Sequence, residues 1–191
     1  MIEKHYWKIK QAALDIDLCV VSKHHSIEEI QSYYDAGERI FAENRATELI
    51  FKADTLPKDI AWHYIGHLQR NKVKEILPIV SCIQSLDNIA LAKVIEKEAT
   101  KLNRTVDVLI ELHLADEDTN KSGLDPADVD MFTNFLLQEC PHISIQGLMT
   151  MGPHTEDTAR IHEVFAKAQD IFKHLQETFG KQYFHTLSMG M

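Results

Sequence analysis

A lysine closes the first apolar run of the chain, Ile16-Asp17-Leu18-Cys19-Val20-Val21-Ser22-Lys23. At the rim of a parallel barrel a lysine amine can attack a carbonyl and form a Schiff base, whereas elsewhere it is ordinarily a solvated charge that snorkels from the end of its strand. An amine with a reference pKa of about 10.4 is almost wholly protonated at neutral pH, and desolvation just after Val20-Val21 would favour its nucleophilic form. Further polar segments end later strand-like runs: Phe41-Ala42-Glu43-Asn44, the stretch from Trp62 through Ile65-Gly66-His67-Leu68-Gln69 to Asn71-Lys72, Lys121-Ser122-Gly123, and Leu187-Ser188-Met189-Gly190-Met191. Asn44 offers an amide to a ligand oxygen or an N-cap to a helix over 45–53. His67, after a glycine that can take an unusual backbone conformation, offers a ring nitrogen to a ligand or to the turn's own backbone. Ser188 and the N–H groups near Gly190 can cradle a phosphate or simply turn the chain. Met149, ending Gly147-Leu148-Met149, lines a pocket or fills a core. Lys121 is a second amine or the counter-charge of Asp116-Glu117-Asp118.

These segments meet only if the strands before them run parallel and end on one face. The strands read as Leu18–Ser22, Arg39–Glu43, Ala61–Ile65, Cys82–Ser85, Val106–Leu114, Ile143–Thr150 and Thr186–Met189, several of them continuous apolar runs of the kind buried on both faces. Helical segments alternate with them over short connections, the pattern of right-handed βαβ units in an α/β fold. Ser26 with Glu29 forms a capping box, and Gly37 closes that helix in the left-handed region. Asp87 caps a helix through Lys101, and Asp125-Pro126 is a cap with a first-turn proline. Ile161, Val164, Phe165, Ala168, Ile171, Phe172, Leu175 and Phe179 form one apolar helical stripe that packs on the sheet.

The 191 residues suffice for one core, and 45% hydrophobic with 26% charged residues describes a single globular domain over 1–191. A formal charge of -9 argues against general affinity for nucleic acid or anionic membrane, leaving a small molecule as the expected partner. No apolar run approaches a membrane span and the start lacks signal-peptide character, so a cytoplasmic protein is expected. The three cysteines are odd in number and widely spaced, which reads as reduced thiols, and the eleven histidines form no zinc-binding motif. No metal site is expected.

With Val21-Ser22-Lys23 in front, the set of segments in this order closely resembles the YggS/PROSC family of pyridoxal phosphate (PLP)-binding proteins, from about Asp17 to Met191. Its most specific pieces are Ile65-Gly66-His67-Leu68-Gln69 with Asn71-Lys72, and the Leu-Ser-Met-Gly-Met end. The resemblance implies a TIM (β/α)8 barrel of the alanine racemase N-terminal domain type. The eighth strand, with its Arg-x-Gly-Thr-like segment, has no counterpart in the sequence, so the expectation is a C-terminally truncated barrel. The resemblance further implies PLP held as a Schiff base on Lys23, with Asn44, His67, Met149, Ser188 and Gly190 as cofactor-binding residues and no catalytic set. It implies a role in vitamin B6 homeostasis, with apoenzymes that accept PLP as candidate partners, and a monomer is the default expectation. Two features depart from the family pattern: Ala42 stands where a glycine is usual, narrowing the pocket by a methyl, and His113 where an asparagine is common. The alternatives are a PLP-dependent racemase or decarboxylase on the same barrel, which needs a second proton-transfer group, and a cofactor-free Schiff-base aldolase.

Overall fold

Seven strands pair in chain order, each parallel to the next: Val20–Val21 (β1), Ile40–Glu43 (β2), Ala61–Tyr64 (β3), Val80–Leu86 (β4), Val106–Leu112 (β5), Ile143–Met151 (β6) and Thr186–Gly190 (β7). This computed structural model describes residues 4–12, 16–115 and 122–190. Lys121 and the acidic loop before it lie outside the described residues. Every strand-to-strand connection carries a helix, as parallel neighbours require: Ile27–Asp35 (α2), Ala46–Thr55 (α3), Val73–Ile76 (α4), Ile89–Leu102 (α5), Val129–Glu139 (α6) and Thr158–Phe179 (α7), with Lys4–Ala12 (α1) ahead of β1. Among the described residues, β1 and β7 are the sheet edges.

The sheet is curled. In a flat sheet β4 would lie three strand spacings, about 14 Å, from both edges. Instead Gln84 of β4 bonds Ser188 of β7 at 2.8 Å and reaches Cys19, just before β1, at 3.9 Å. Seven strands, the first six each followed by a helix, close most of a circle and give an open TIM-like barrel, as the sequence predicts.

Alternation along the strands divides two cores. Outward residues such as Phe41, Trp62, Ile83, Val108, Ile110 and Leu148 pack under the helices against Leu49, Ile76, Ile95, Phe132, Val164 and Leu175. Inward residues form a smaller apolar layer of Cys82, Leu109 and Met149. The long α7 stripe packs as its spacing implies, with Val164, Ala168 and Leu175 buried. The Ser26–Glu29 capping box forms, and Gly37 takes φ +104° beyond it. The α5 cap differs from expectation by one residue: Asn88 accepts the Leu91 N–H, while Asp87 accepts the Asn88 side chain and the Gly123 N–H. Helix α1 has no clear signature in its sequence; Tyr6 and Lys10 tie it to the buried Glu38 before β2.

Gly147 lets β6 and β7 pair. Its φ is +153° and a Cβ there would stand 1.8 Å from the Thr186 carbonyl oxygen, so an alanine forces the strands apart. Gly147→Ala is expected to destabilise the fold by about 3 kcal/mol, read from urea unfolding midpoints. An unchanged midpoint would show that the two strands separate at little cost.

Candidate functional site

The turn after β1 carries Lys23 exposed, with no hydrogen bond or ion pair among the described residues. The residue before it, Ser22, is buried: its N–H and Oγ both donate to the Ala42 carbonyl, and Oγ also donates to Glu43 Oε1 at 2.7 Å. The residue after it, His24, has φ +66°. The desolvation expected of the amine is therefore not supplied by the residues around it, but the backbone that presents it is fixed.

Asn44 follows β2, where alternation sends Phe41 and Glu43 outward and turns Ala42 and Asn44 toward the barrel interior. Its backbone carbonyl accepts the Tyr64 hydroxyl at 3.1 Å, and Gly66 packs so closely that a Cβ there would lie 2.2 Å from the same oxygen. Gly66 is thus required for close approach, and its φ is not in the left-handed region. The cap reading of Asn44 is not realised: α3 begins after Arg45 with no side-chain cap, and the buried Asn44 Oδ1 has no partner.

Met149, Ser188 and Gly190 lie on the inward face of β6 and β7, with Met149 paired in register with both Glu111 and Ser188. Ser188 Oγ donates to Gln84 Oε1 at 2.8 Å, and Gln84 Nε2 donates to His63 Nδ1 at 2.7 Å. The barrel interior therefore holds a polar relay from β3 through β4 to β7, with the Cys19 sulfur at its margin. Gly190 is exposed, with open space where a Cβ would stand, and its carbonyl accepts the Gly152 N–H. His67 is exposed on a separate groove lined by Gln69, Asn71, Asn88 and Leu91. Lys23, Asn44, Met149, Ser188 and Gly190 do not line that groove.

Three interior groups were not singled out as site residues from the sequence. Burial lowers the pKa of His63, against a raising influence from Asp107, so its ring is a neutral member of the relay. Gln84 is the hub of that relay. Glu111, two residues beyond the inward Leu109, is 5% exposed and accepts the Ser122 hydroxyl at 3.1 Å. Burial pushes its pKa up to about 7, the Ser122 bond opposing and Asp87 adding to the rise. Strand alternation could have indicated their inward direction, but not that they share one interior. Burial also raises the Cys19 and Cys82 thiols to about 11 and about 12, which keeps both protonated at neutral pH. No cluster of potential metal ligands occurs among the described residues.

Comparison with known proteins bears on the family and the fold. The profile of the family described as alanine racemase, N-terminal domain, matches residues 1–191. A pyridoxal phosphate homeostasis protein of Aquifex aeolicus is 38% identical over 165 residues, covering 86% of this chain and 71% of that protein. One from Schizosaccharomyces pombe is 31% identical over 189 residues, covering 96% of this chain and 78% of its own length. The chain belongs to the YggS/PROSC family of pyridoxal phosphate homeostasis proteins. Among solved structures, PipY of Synechococcus elongatus without PLP superposes with a TM-score of 0.89 at 32% identity, over 98% of this chain and 88% of PipY. PipY with PLP bound gives 0.85 at 31% identity, over the same shares of the two chains. Alanine racemase of Clostridium difficile shares the fold alone, with a TM-score of 0.70 at 13% identity. In this YggS/PROSC chain the matched region includes every strand that carries a candidate site residue.

Proposed function

We propose that this chain binds pyridoxal 5'-phosphate as a Schiff base on Lys23 and serves intracellular vitamin B6 homeostasis by holding and releasing it, without turnover of its own. The observation that carries the reading is the pairing of an unpartnered, exposed lysine with an unpartnered, buried asparagine carbonyl, Asn44 Oδ1, on consecutive strand ends of a barrel. A buried acceptor without a partner is costly, and a ligand hydroxyl that donates to it removes that cost. The cradle fits in other respects: Gly66 brings the β3 turn onto Asn44, and Gly190 leaves its side of the rim open. PipY, one structure of which has PLP bound, supports the choice of ligand.

Bound PLP supplies an aldehyde that condenses with an amine and a pyridine ring that takes up charge. Lys23 provides the amine, Asn44 a polar contact, Ser188 and the backbone near Gly190 the phosphate contacts, and Met149 the apolar wall. No helix among the described residues is long and apolar enough to cross a membrane. We assign the chain to the cytoplasm as a monomer, with PLP-requiring apoenzymes as recipients. Incubation with PLP, borohydride reduction and peptide mapping test the reading. One adduct on the peptide containing Lys23 is expected; adducts scattered over surface lysines overturn it.

A second reading, a racemase or decarboxylase, is favoured by Glu111, an interior carboxyl that exchanges its proton near neutral pH. Conversion of free amino acids by the PLP-loaded protein, lost in Glu111→Gln, would establish it.

A further inference from the structure

A buried ion group sits directly beneath the Lys23 turn. Lys52 of α3 is 5% exposed, yet its Nζ lies 2.5 Å from Glu43 Oε1, 2.8 Å from the Ser22 carbonyl oxygen and 3.4 Å from Glu48 Oε2. Glu43 is fully buried and its second oxygen, Oε2, has no partner. Glu48 Oε2 in turn stands 3.5 Å from the His24 N–H. The group holds the residue before Lys23 by its carbonyl and hydroxyl and reaches the residue after it by its amide. Lys23 itself is left untouched.

Packing alone does not explain this arrangement. The buried Glu43 carboxylate and Lys52 ammonium, with the partly exposed Glu48 beside them, carry a desolvation cost that apolar residues of equal volume avoid, so such a group is weak evidence of a stabilising role. The rest of the buried face of α3 is Ala46 and Leu49, which shows that apolar residues suit it. What apolar residues cannot do is grip a backbone carbonyl at the end of a two-residue strand and support the left-handed His24 that follows it.

We propose that Glu43, Lys52 and Glu48 are positioning residues for Lys23: they clamp the turn on both sides so that its amine is presented in a fixed direction at the barrel rim. The proposal rests on the reading of Lys23 as the residue that bonds PLP. Misplacing a reacting group by about 1 Å can cost on the order of 100-fold in rate, so loss of the clamp should be felt in bond formation more than in folding.

Lys52→Met alone strands the buried Glu43 charge and can fail to fold, so the decisive variant is the double replacement Glu43→Gln with Lys52→Met, which removes both charges together. Two readouts separate the possibilities. Amide hydrogen exchange needs no cofactor: His25, whose N–H bonds the Ser22 carbonyl, should exchange at least about tenfold faster, while Val108 and Ile110 in β5 keep their protection. The rate of borohydride-trappable PLP attachment at Lys23 should fall at least about tenfold, and Lys52→Arg should restore part of it. Uniform acceleration of exchange throughout the barrel, or unchanged exchange at His25, overturns the clamp. If the unaltered protein attaches no PLP at Lys23, the functional reading fails, while the exchange result still decides whether the clamp exists.

Discussion

Lys23→Ala is expected to lose PLP attachment at this site by about 100-fold or more, with the melting temperature unchanged. The size follows from the chemistry: an imine needs a primary amine, and no hydrogen bond or ion pair of Lys23 is lost with the side chain among the described residues. Lys23→Arg separates charge from nucleophilicity. It keeps a cation at the rim but cannot condense with the aldehyde, so it should fail as completely as alanine. The measurement is intact mass after reduction, across a PLP titration, with the two variants beside the unaltered protein. Equal labelling of all three would place the bond on another lysine. Selective loss would leave the adjacent backbone as the feature that makes one exposed amine preferred, because exposure alone does not distinguish Lys23 from other surface lysines.

The strand ends were legible because each combines a β-rich apolar run with a polar or glycine-containing stop, and this local pattern survives folding. The curl of the sheet was not local. It joins Gln84 of β4 to Ser188 of β7 and to Cys19 before β1, each three strands away, and residues in nearly continuous apolar strands give little indication of which face is inside. Gly66 shows the same limit. Its presence was visible, but its reason is the Asn44 backbone pressed against it, a tertiary contact. Glu43 and Lys52 are nine residues apart in the chain and look like solvated charges until α3 folds back over β2. The Asn44 cap was a reasonable local reading that the chain does not use; because α3 starts at Ala46, the amide remains available to a ligand.

Glu111 sets the second large effect, a fall in stability as pH rises through neutrality. Its pKa moves from 4.5 to about 7 on folding because burial disfavours the carboxylate, with Asp87 adding to the rise and the Ser122 hydroxyl opposing it. Between these values the folded chain keeps a proton that the unfolded chain has released. The unfolded state then binds fewer protons, and the stabilisation present at pH 4.5 is lost as pH passes about 7, amounting to about 3 kcal/mol. Glu111→Gln keeps an acceptor for Ser122 without an ionisable group, so it should remove this slope and be the more stable protein at pH 8. Buried His63 acts in the opposite sense, since its lowered pKa makes stability rise with pH through its own range. The diagnostic is therefore the difference between Glu111→Gln and the unaltered protein in urea unfolding from pH 5 to 8. A constant difference would mean that Glu111 is ionised throughout, and would remove the carboxyl on which a proton-transfer role in this barrel depends.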